Sequence, residues 1–332
     1  MTKSVLAPSP HLRSPKTIET AMYGVIVALV PAAGVGVYFF GLNAVRVIAV
    51  SIIGCLIFEG LVLRLRGKGL STLKDGSAIL TGLLLAMNLP SSSPVWMVLI
   101  GSSVAILVGK QVYGGLGYNP FNPALVARVF LLISFPVAMT SWPEPGAFSL
   151  SLDTVTKATP LGAIKTNLLL HGNVGDIAHM SLLDPFMGRM GGSLGEVSAI
   201  ALLLGGIFLL ARGVITWHIP GSFLATVFGM TGLFWLINPQ KYASPFLHLV
   251  TGGLLLGAIF MATDYVTSPV TTSGMIMFGV GCGAITVFIR LFGGYPEGVS
   301  FAILLMNSLT PIIDRYTRPR VFGYSPAGGV KA

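Results

Sequence analysis

The chain has 332 residues, of which 53% are hydrophobic and only 9% are charged, and its mean hydropathy is +0.83. A soluble globular domain carries roughly a quarter charged residues, so this composition excludes an ordinary soluble protein and indicates an integral membrane protein. The formal net charge of +9 is compatible with nucleic-acid binding. We exclude that class, because most basic residues lie in short loops between apolar runs, where membrane orientation requires them.

The apolar runs predict an all-α fold of about ten transmembrane helices in the lipid bilayer. The first run, residues 21–42, has 22 residues without a charge, which is long enough to span. No cleavable signal peptide is recognisable. The predicted spans are 21–42, 44–63, 77–89, 95–109, 123–140, 196–211, 214–237, 246–263, 274–290 and 298–313.

Charge sets the expected orientation. With both termini in the cytoplasm, 14 of the 20 Lys and Arg residues fall on the cytoplasmic side, Arg128 among them, and six fall on the other side. We therefore expect five regions: a cytoplasmic segment 1–20, a first five-helix repeat 21–140, an extracytoplasmic loop 141–195, a second repeat 196–313 and a cytoplasmic tail 314–332.

The two halves resemble each other. "TGLLLAMNLPSSSP" at 81–94 is similar to "TGGLLLGAIFMATDYVTSP" at 251–269, and "GGLGYNPFNPALVARVFLLISFP" at 114–136 is similar to "RLFGGYPEGVSFAILLMNSLTP" at 290–311. Because five spans is an odd number, the second half enters the membrane the other way up, which predicts an inverted-topology repeat typical of transport proteins. The alternative is chance similarity between helices rich in Gly and Leu.

The third and eighth spans are predicted to be broken helices. Residues 77–89 are too few to cross about 30 Å of hydrocarbon at 1.5 Å per residue, and Pro90 follows them directly. The eighth span ends in "ATDYVTSPVTTSG". Short, Pro-interrupted segments at matching positions predict free backbone ends that line a site between the halves.

Three carboxylates lie in or near these spans: Glu59, Asp75 and Asp264. A carboxylate near hydrocarbon costs roughly 3 kcal/mol on the gentler scales, so such residues are candidates for a Na⁺ or H⁺ pathway. Two alternatives stay open. The acid can be interfacial and paired with a loop Lys or Arg, and Asp75 can cap the N-terminus of the third span.

The segment "GYNPFNPALVARVF" at 117–130 is a second polar cluster. Pro123 suits the first position of a helix, which makes Asn122 the N-cap. One interpretation is a capped turn followed by a snorkelling Arg128. The other is a ligand site, in which Asn119 and Asn122 supply amide donors and acceptors and Arg128 stacks on or hydrogen-bonds a planar ring. Spacing alone does not separate the two.

Several chemistries lack their motifs. The sequence has no phosphate-cradling glycine loop, no H-E-x-x-H, no G-x-S-x-G and no cysteine pair with metal spacing, which argues against an autonomous hydrolase or ATPase and against a metal site. Cys55 and Cys282 lie within apolar runs and are expected to be small core residues.

The stretch "DTVTKATPLG" at 153–162 lies in the predicted extracytoplasmic loop. Pro160 favours an extended backbone at Thr159, so we expect the Thr159 hydroxyl to be exposed and presented to another protein. A threonine hydroxyl is a poor nucleophile without a base or an enzyme to activate it. Taken alone, the stretch is better explained by a solvated turn with Ser and Thr side-chain hydrogen bonds.

Taken together, four segments make the whole chain resemble the RnfD family of the Rnf ion-translocating oxidoreductase complexes, which is similar to the NqrB component of the Na⁺-translocating NADH:quinone oxidoreductase. These segments are 75–90, 114–130, 153–161 and 261–269. The resemblance implies a D-x-x-S/T-x-A-T pattern at which a separate flavin transferase esterifies the last threonine with FMN on the extracytoplasmic side. Asp153, Thr156 and Thr159 match the pattern, whereas Lys157 replaces a small residue.

The resemblance also implies a second, non-covalent flavin, riboflavin, near Asn119, Asn122 and Arg128. It implies electron transfer between ferredoxin and NAD⁺ coupled to Na⁺ or H⁺ translocation in the bacterial inner membrane. Other subunits of the complex would bring the iron–sulfur clusters, a neighbouring extracytoplasmic flavin and the nicotinamide site, so the chain is not catalytic alone. The alternatives are a secondary transporter or channel for a small solute without a redox role, and a structural scaffold.

Overall fold

The computed structural model describes residues 17–67, 69–146, 158–171, 186 and 190–319. Every element of regular secondary structure in these residues is helical. In chain order they are α1 (Ile18–Leu65), a 3₁₀ turn (Leu70–Asp75), α2 (Ser77–Met87), α3 (Val95–Ser103) continued by a π-helix (Val104–Gln111), α4 (Pro123–Ser134), α5 (Pro136–Thr140), α6 (Pro160–His171), α7 (Ala199–Ala211), α8 (His218–Ile237), α9 (Pro245–Val250), α10 (Leu254–Leu256) continued by a π turn (Gly257–Met261), α11 (Thr272–Phe292) and α12 (Val299–Tyr316).

Helix α1 is two antiparallel limbs joined at Gly41. Gly41 has φ 60° and ψ −141°, a conformation that glycine adopts without steric cost. Before Gly41, the Tyr23 hydroxyl donates to the Lys74 carbonyl at 3.3 Å, just ahead of α2. After Gly41, Ser51 Oγ donates to the Gly82 carbonyl in the middle of α2 at 2.7 Å. The two limbs coincide with the predicted spans 21–42 and 44–63.

The bundle has two ends, which we name after Asp75 and Thr159. The Asp75 end contains the start of α2 and the residues that lie beside it in space, including Tyr23 and Lys74. Arg46 donates to the Ser93 carbonyl at 3.3 Å, and Ser92 donates to the Ser141 carbonyl at 3.4 Å, at the opposite end. This second end is the Thr159 end, because Thr159 lines a cavity together with Thr140 and Trp142.

Corresponding segments of the two halves run in opposite directions. Helix α2 runs from the Asp75 end to the Thr159 end, whereas the chain from α9 to Asp264 runs back, since Asp264 lines a cavity with Ala21 at the start of α1. Helix α12 ends at the Asp75 end, where the Thr317 and Thr271 hydroxyls lie 2.7 Å apart. An inverted repeat requires these directions. The internal symmetry and the count of ten spans stay predictions.

The helices are apolar enough for a multi-pass membrane protein. Ile18–Leu65, His218–Ile237 and Thr272–Phe292 are long enough to span, and Ser77–Met87, Val95–Gln111, Pro123–Ser134 and Ala199–Ala211 are shorter apolar helices. The 11 residues of α2 cover about 16 Å, roughly half the hydrocarbon thickness. The short α2 agrees with the prediction of a broken helix. Its counterpart in the second half is divided into α9 and α10, with Gly252 and Gly253 at positive φ between them, which agrees with the second predicted break.

Part of the predicted loop 141–195 is a packed helix. Helix α6 follows Thr159 directly and packs against the chain after α11: Lys165 Nζ donates to the Gly293 carbonyl and, at 2.9 Å, to the Tyr295 carbonyl. Asp153 and Thr156 lie outside the described residues.

Close packing of α1 against α2 yields a first prediction. A Cβ on Gly82 would lie 2.7 Å from the Ile52 Cα and 2.9 Å from the Ser51 carbonyl oxygen, both of them backbone atoms that cannot rotate away. We expect Gly82→Ala to lower the free energy of unfolding by roughly 1–3 kcal/mol, measured as thermal unfolding of the purified chain in detergent. Gly229→Ala is the matched control, because that Cβ would meet nothing within 4 Å. Equal stability of the Gly82→Ala and Gly229→Ala chains would contradict the close packing of α1 against α2.

Candidate functional site

Thr159 is buried and caps α6. Its hydroxyl accepts a hydrogen bond from the Gly162 N–H at 3.1 Å, and its side chain is 6% exposed. The expectation of an exposed hydroxyl is therefore wrong. The physical reason lies in the next two residues. Helix α6 begins at Pro160, directly after Thr159, and the buried side chain of Leu161 packs its first turn against the bundle.

The Thr159 side chain nevertheless faces space. It lines a cavity of about 650 Å³, counted to its open mouth, which lies within the usual size range of small-molecule sites. The walls combine a guanidinium, two aromatic side chains, hydroxyls and a carboxylate. They are formed by Arg128, Leu132, Met139, Thr140, Trp142, Ala158, Gly162, Thr166, Tyr295, Pro296 and Glu297.

Arg128 ties the two halves together at this cavity. Its Nη1 donates to Asn88 Oδ1 at 2.6 Å within the first half. Its Nη2 pairs with the Glu297 carboxylate and lies 3.8 Å from the Glu196 carboxylate, both in the second half. This placement of Arg128 corrects two predictions, one about membrane orientation and one about the ligand site. Arg128 lies with Thr159 rather than at the end that the charge distribution assigned to the cytoplasm, and it lines a different cavity from Asn119 and Asn122.

A second cavity, of about 790 Å³, lies between the halves towards the Asp75 end. Asn119, Asn122 and Asp264 line it, together with Lys110 and Ser77. The sequence thus correctly grouped the two asparagines but not the arginine.

The asparagines are partly committed to local structure. Asn122 is the N-cap of α4, as predicted, because its Oδ1 accepts from the Ala124 and Leu125 N–H groups at 3.1 and 3.4 Å. Its Nδ2 donates across to the Met261 carbonyl at 3.2 Å, so this amide also joins the halves. Asn119 Nδ2 donates to the Phe121 carbonyl at 3.1 Å.

Glu59 lies in a buried ion pair with Lys110, a partner that the sequence analysis did not name. Lys110 Nζ is 2.6 and 2.8 Å from the two carboxylate oxygens of Glu59 and 2.6 Å from Ser77 Oγ. Gln111 Nε2 also donates to the carboxylate, at 3.2 Å. Lys110 is only 2% exposed. This geometry matches the alternative of an acid paired with a lysine. The Glu59 carboxylate within an apolar run was the sequence feature that indicated such a pair, since a buried carboxylate needs a cation.

The two other acids differ from each other. Asp75 Oδ1 accepts from the Ser77 N–H at 2.8 Å and from Ser77 Oγ at 2.6 Å, a local turn just before α2, whose N-cap is Gly76. Asp264 Oδ2 accepts from Thr267 Oγ1 at 3.3 Å and, in the part of the chain that the structure describes, forms no ion pair. Asp264 is thus an acid without a cation that lines the cavity between the halves.

Comparison with known proteins places this architecture in a family. Residues 5–323, nearly the whole chain, match the model of the NQR2, RnfD, RnfE family. This chain belongs to the NQR2, RnfD, RnfE family. The match covers both halves of the bundle and α6.

Named members of the NQR2, RnfD, RnfE family are similar over almost their full length. The chain is 46% identical to the D subunit of the Na(+)-translocating ferredoxin:NAD(+) oxidoreductase complex of Acetobacterium woodii, over 95% of this chain and 94% of that protein. It is 46% identical to the D subunit of the proton-translocating ferredoxin:NAD(+) oxidoreductase complex of Clostridium ljungdahlii, over 96% of each. It is 43% identical to the D subunit of the ion-translocating oxidoreductase complex of Cronobacter sakazakii, over 96% and 99%.

Proposed function

We propose that this chain is the flavin-carrying membrane subunit of a ferredoxin:NAD⁺ oxidoreductase complex that couples electron transfer to Na⁺ or H⁺ translocation. The observation that carries the proposal is the placement of Thr159, the last threonine of the D-x-x-T-x-A-T pattern, in the wall of a cavity that also contains a guanidinium and aromatic rings. The names of the full-length relatives support the same activity.

The residues around Thr159 fit an esterified FMN. Trp142 and Tyr295 line the cavity and supply aromatic side chains beside the isoalloxazine, and the Arg128 guanidinium offsets the charge of the Glu297 carboxylate in the same wall. When bound, FMN supplies one- and two-electron transfer, and the tether holds it close to its redox partners. The Thr159 hydroxyl accepts a hydrogen bond from the Gly162 N–H. A separate flavin transferase would form the ester, and we assign its recognition to Asp153 and Thr156.

A second, non-covalent flavin, riboflavin, is proposed for the cavity between the halves. Asn119 and Asn122 line it and supply amide groups that can hydrogen-bond a flavin ring, and most of the remaining lining is apolar. Arg128 is not part of this proposed site, because it lines the Thr159 cavity.

The membrane placement follows from the same proposal. We place the chain in the bacterial inner membrane with both termini cytoplasmic and the Thr159 end outside. In support, the described chain begins and ends at the Asp75 end, and Arg64, Lys74 and Arg212 lie in segments that reach that end. The proposed partners are the iron–sulfur, extracytoplasmic flavin and membrane subunits of the complex.

Mass spectrometry of the chain purified from its native membranes tests the proposal directly. We expect the mass of the polypeptide plus one esterified FMN, with the added mass on the tryptic peptide that contains Thr159. A chain of unmodified mass, in cells that contain the transferase, would overturn the redox role and leave a secondary transporter built on the same two halves.

Ion coupling yields a prediction for Asp264. This acid lines the inter-half cavity without a paired cation, so Asp264→Asn is expected to lower ferredoxin-driven Na⁺ or H⁺ uptake into membrane vesicles roughly tenfold, while ferredoxin oxidation falls less. Asp75→Asn is the matched control, because the asparagine keeps an acceptor for the Ser77 N–H and uptake should be unchanged. Equal uptake by both variants would remove Asp264 from the ion pathway.

A further inference from the structure

A third cavity, of about 690 Å³, lies at the Thr159 end on the opposite face of α6 from Thr159. Lys165, Lys241, Arg290 and the imidazole of His248 line it, and among the described residues no carboxylate does. The remaining walls are mostly apolar. A cavity with several basic groups and no acid has the electrostatics of an anion site.

Arg290, the buried cation in these walls, forms no direct ion pair within the described residues. Arg290 is 6% exposed, and its two Nη atoms donate to backbone carbonyls only: to His248 at 2.7 Å, and to Thr251 and Gly252 at 2.9 and 3.1 Å. Its Nε has no partner within the described structure, and neither does Nδ1 of the buried His248. The nearby carboxylates, Glu196 and Glu297, are engaged with Arg128. Both carboxylates also attract Arg290 from a distance, so what Arg290 offers a ligand is its unpartnered Nε donor.

Lys165 repeats this pattern in α6. Its amine donates to the Gly293 and Tyr295 carbonyls and to no acid in the described chain. Burial lowers the pKa of this amine, since the charged form loses water without gaining a counter-ion. A bound anion would favour the charged form of this amine.

The surface around the cavity is apolar. Leu169 of α6 is 81% exposed, Phe246 at the start of α9 is 57% exposed, and Phe292 at the end of α11 is 58% exposed. Exposed leucine and phenylalanine beside buried basic groups are what a lipid requires, because its chains lie along the apolar helices while its headgroup enters a basic pocket between them.

We propose that this cavity binds the phosphate group of an anionic phospholipid, with Arg290 and Lys165 holding the phosphate at its base and Lys241 at its mouth. The shared chemistry is a phosphate ester, which a lipid headgroup or a soluble phosphate supplies, and the apolar rim favours the lipid. The site would anchor α6, and thereby Thr159, to the membrane surface. The proposal does not depend on the redox role of the chain.

The test compares lipids of different charge on the purified full-length chain. Thermal unfolding is measured in nanodiscs of phosphatidylcholine, in nanodiscs containing phosphatidylglycerol, and in phosphatidylcholine nanodiscs with inorganic phosphate added. Lipid that remains bound after detergent exchange is identified by mass spectrometry. The test variant is the double substitution Lys165→Gln with Lys241→Gln, which leaves the structural bonds of Arg290 in place.

We expect phosphatidylglycerol to raise the unfolding temperature of the wild-type chain, and the double variant to bind this lipid roughly tenfold more weakly. Arg212→Gln at the Asp75 end is the control, since Arg212 only stacks over the Phe208 ring at 5.1 Å, and it should respond as the wild type does. Stabilisation by inorganic phosphate that the double variant loses would identify a soluble ester as the source. Equal effects of both lipids without a response to phosphate, or an undiminished response of the double variant, would overturn the proposal.

Discussion

Thr159→Ala should abolish the covalent flavin and lower ferredoxin-dependent NAD⁺ reduction by the complex roughly hundredfold or more. The reason is that the tether makes electron transfer to neighbouring carriers effectively intramolecular, an advantage that is lost when the carrier diffuses. The covalent flavin is measured by ultraviolet fluorescence of the denatured chain on a gel, and NAD⁺ reduction is measured in isolated membranes.

Two variants separate the loss of the ester from the loss of the helix cap. The Thr159 hydroxyl caps α6 through the Gly162 N–H, and removing such a cap costs roughly 1 kcal/mol by itself. Thr159→Asn keeps a capping acceptor but forms no phosphoester, so it should fold and lack fluorescence. Thr159→Ser keeps both the cap and the hydroxyl and should restore flavin and activity at least in part.

A control and a contradicting result complete the series. Thr166→Ala alters a second hydroxyl in the same cavity and should keep its fluorescence. Fluorescence that persists in Thr159→Ala would place the flavin on another residue. Normal NAD⁺ reduction by a Thr159→Ala chain without fluorescence would show that the covalent flavin is outside the electron path.

Removing the cation of the Glu59–Lys110 ion pair should lower the free energy of unfolding more than any of the other single substitutions. Lys110→Met leaves the Glu59 carboxylate buried beside Ser77 and Gln111 with no cation, which costs roughly 3–5 kcal/mol. The double substitution Glu59→Gln with Lys110→Met removes both charges and should recover most of that loss. Thermal unfolding of the three chains in detergent measures the effect.

The exposed Lys74 near the same end provides the control. Lys74→Met should change stability by less than about 0.5 kcal/mol, because no described ion pair involves its amine. A Lys110→Met chain as stable as the wild type would contradict the buried pair. The double variant also separates stability from transport: if Glu59 carries the ion, a stable double variant fails in Na⁺ or H⁺ uptake, and normal uptake removes Glu59 from the pathway.

Local patterns in the sequence were sufficient for the elements that depend on neighbours along the chain. The spans 21–42 and 44–63 correspond to the two limbs of α1, and Asn122 caps α4 ahead of Pro123 as its position predicts. Asp75 was expected to cap α2, but the N-cap is Gly76, and Asp75 instead bonds Ser77 in the turn that precedes the helix. Hydropathy and capping act within a few residues, so one sequence suffices to recognise them.

Contacts between residues far apart in the sequence could not be predicted from such local patterns. Lys110 was assigned to a cytoplasmic loop, yet it is 2% exposed because Glu59, 51 positions earlier, lies on the facing limb. Arg128 was grouped with Asn119 and Asn122 by proximity in sequence, whereas helical rotation along α4 turns it towards Glu297, 169 positions later.

By itself, the sequence determined that this protein is an apolar helical bundle with broken segments and a threonine motif that resembles a flavinylation pattern, because composition, period and motif are properties of the chain alone. Only the tertiary structure decided which charges meet and which side chains line each cavity. A buried charge is stable only beside a partner brought by another helix, and that choice of partner depends on packing rather than on spacing.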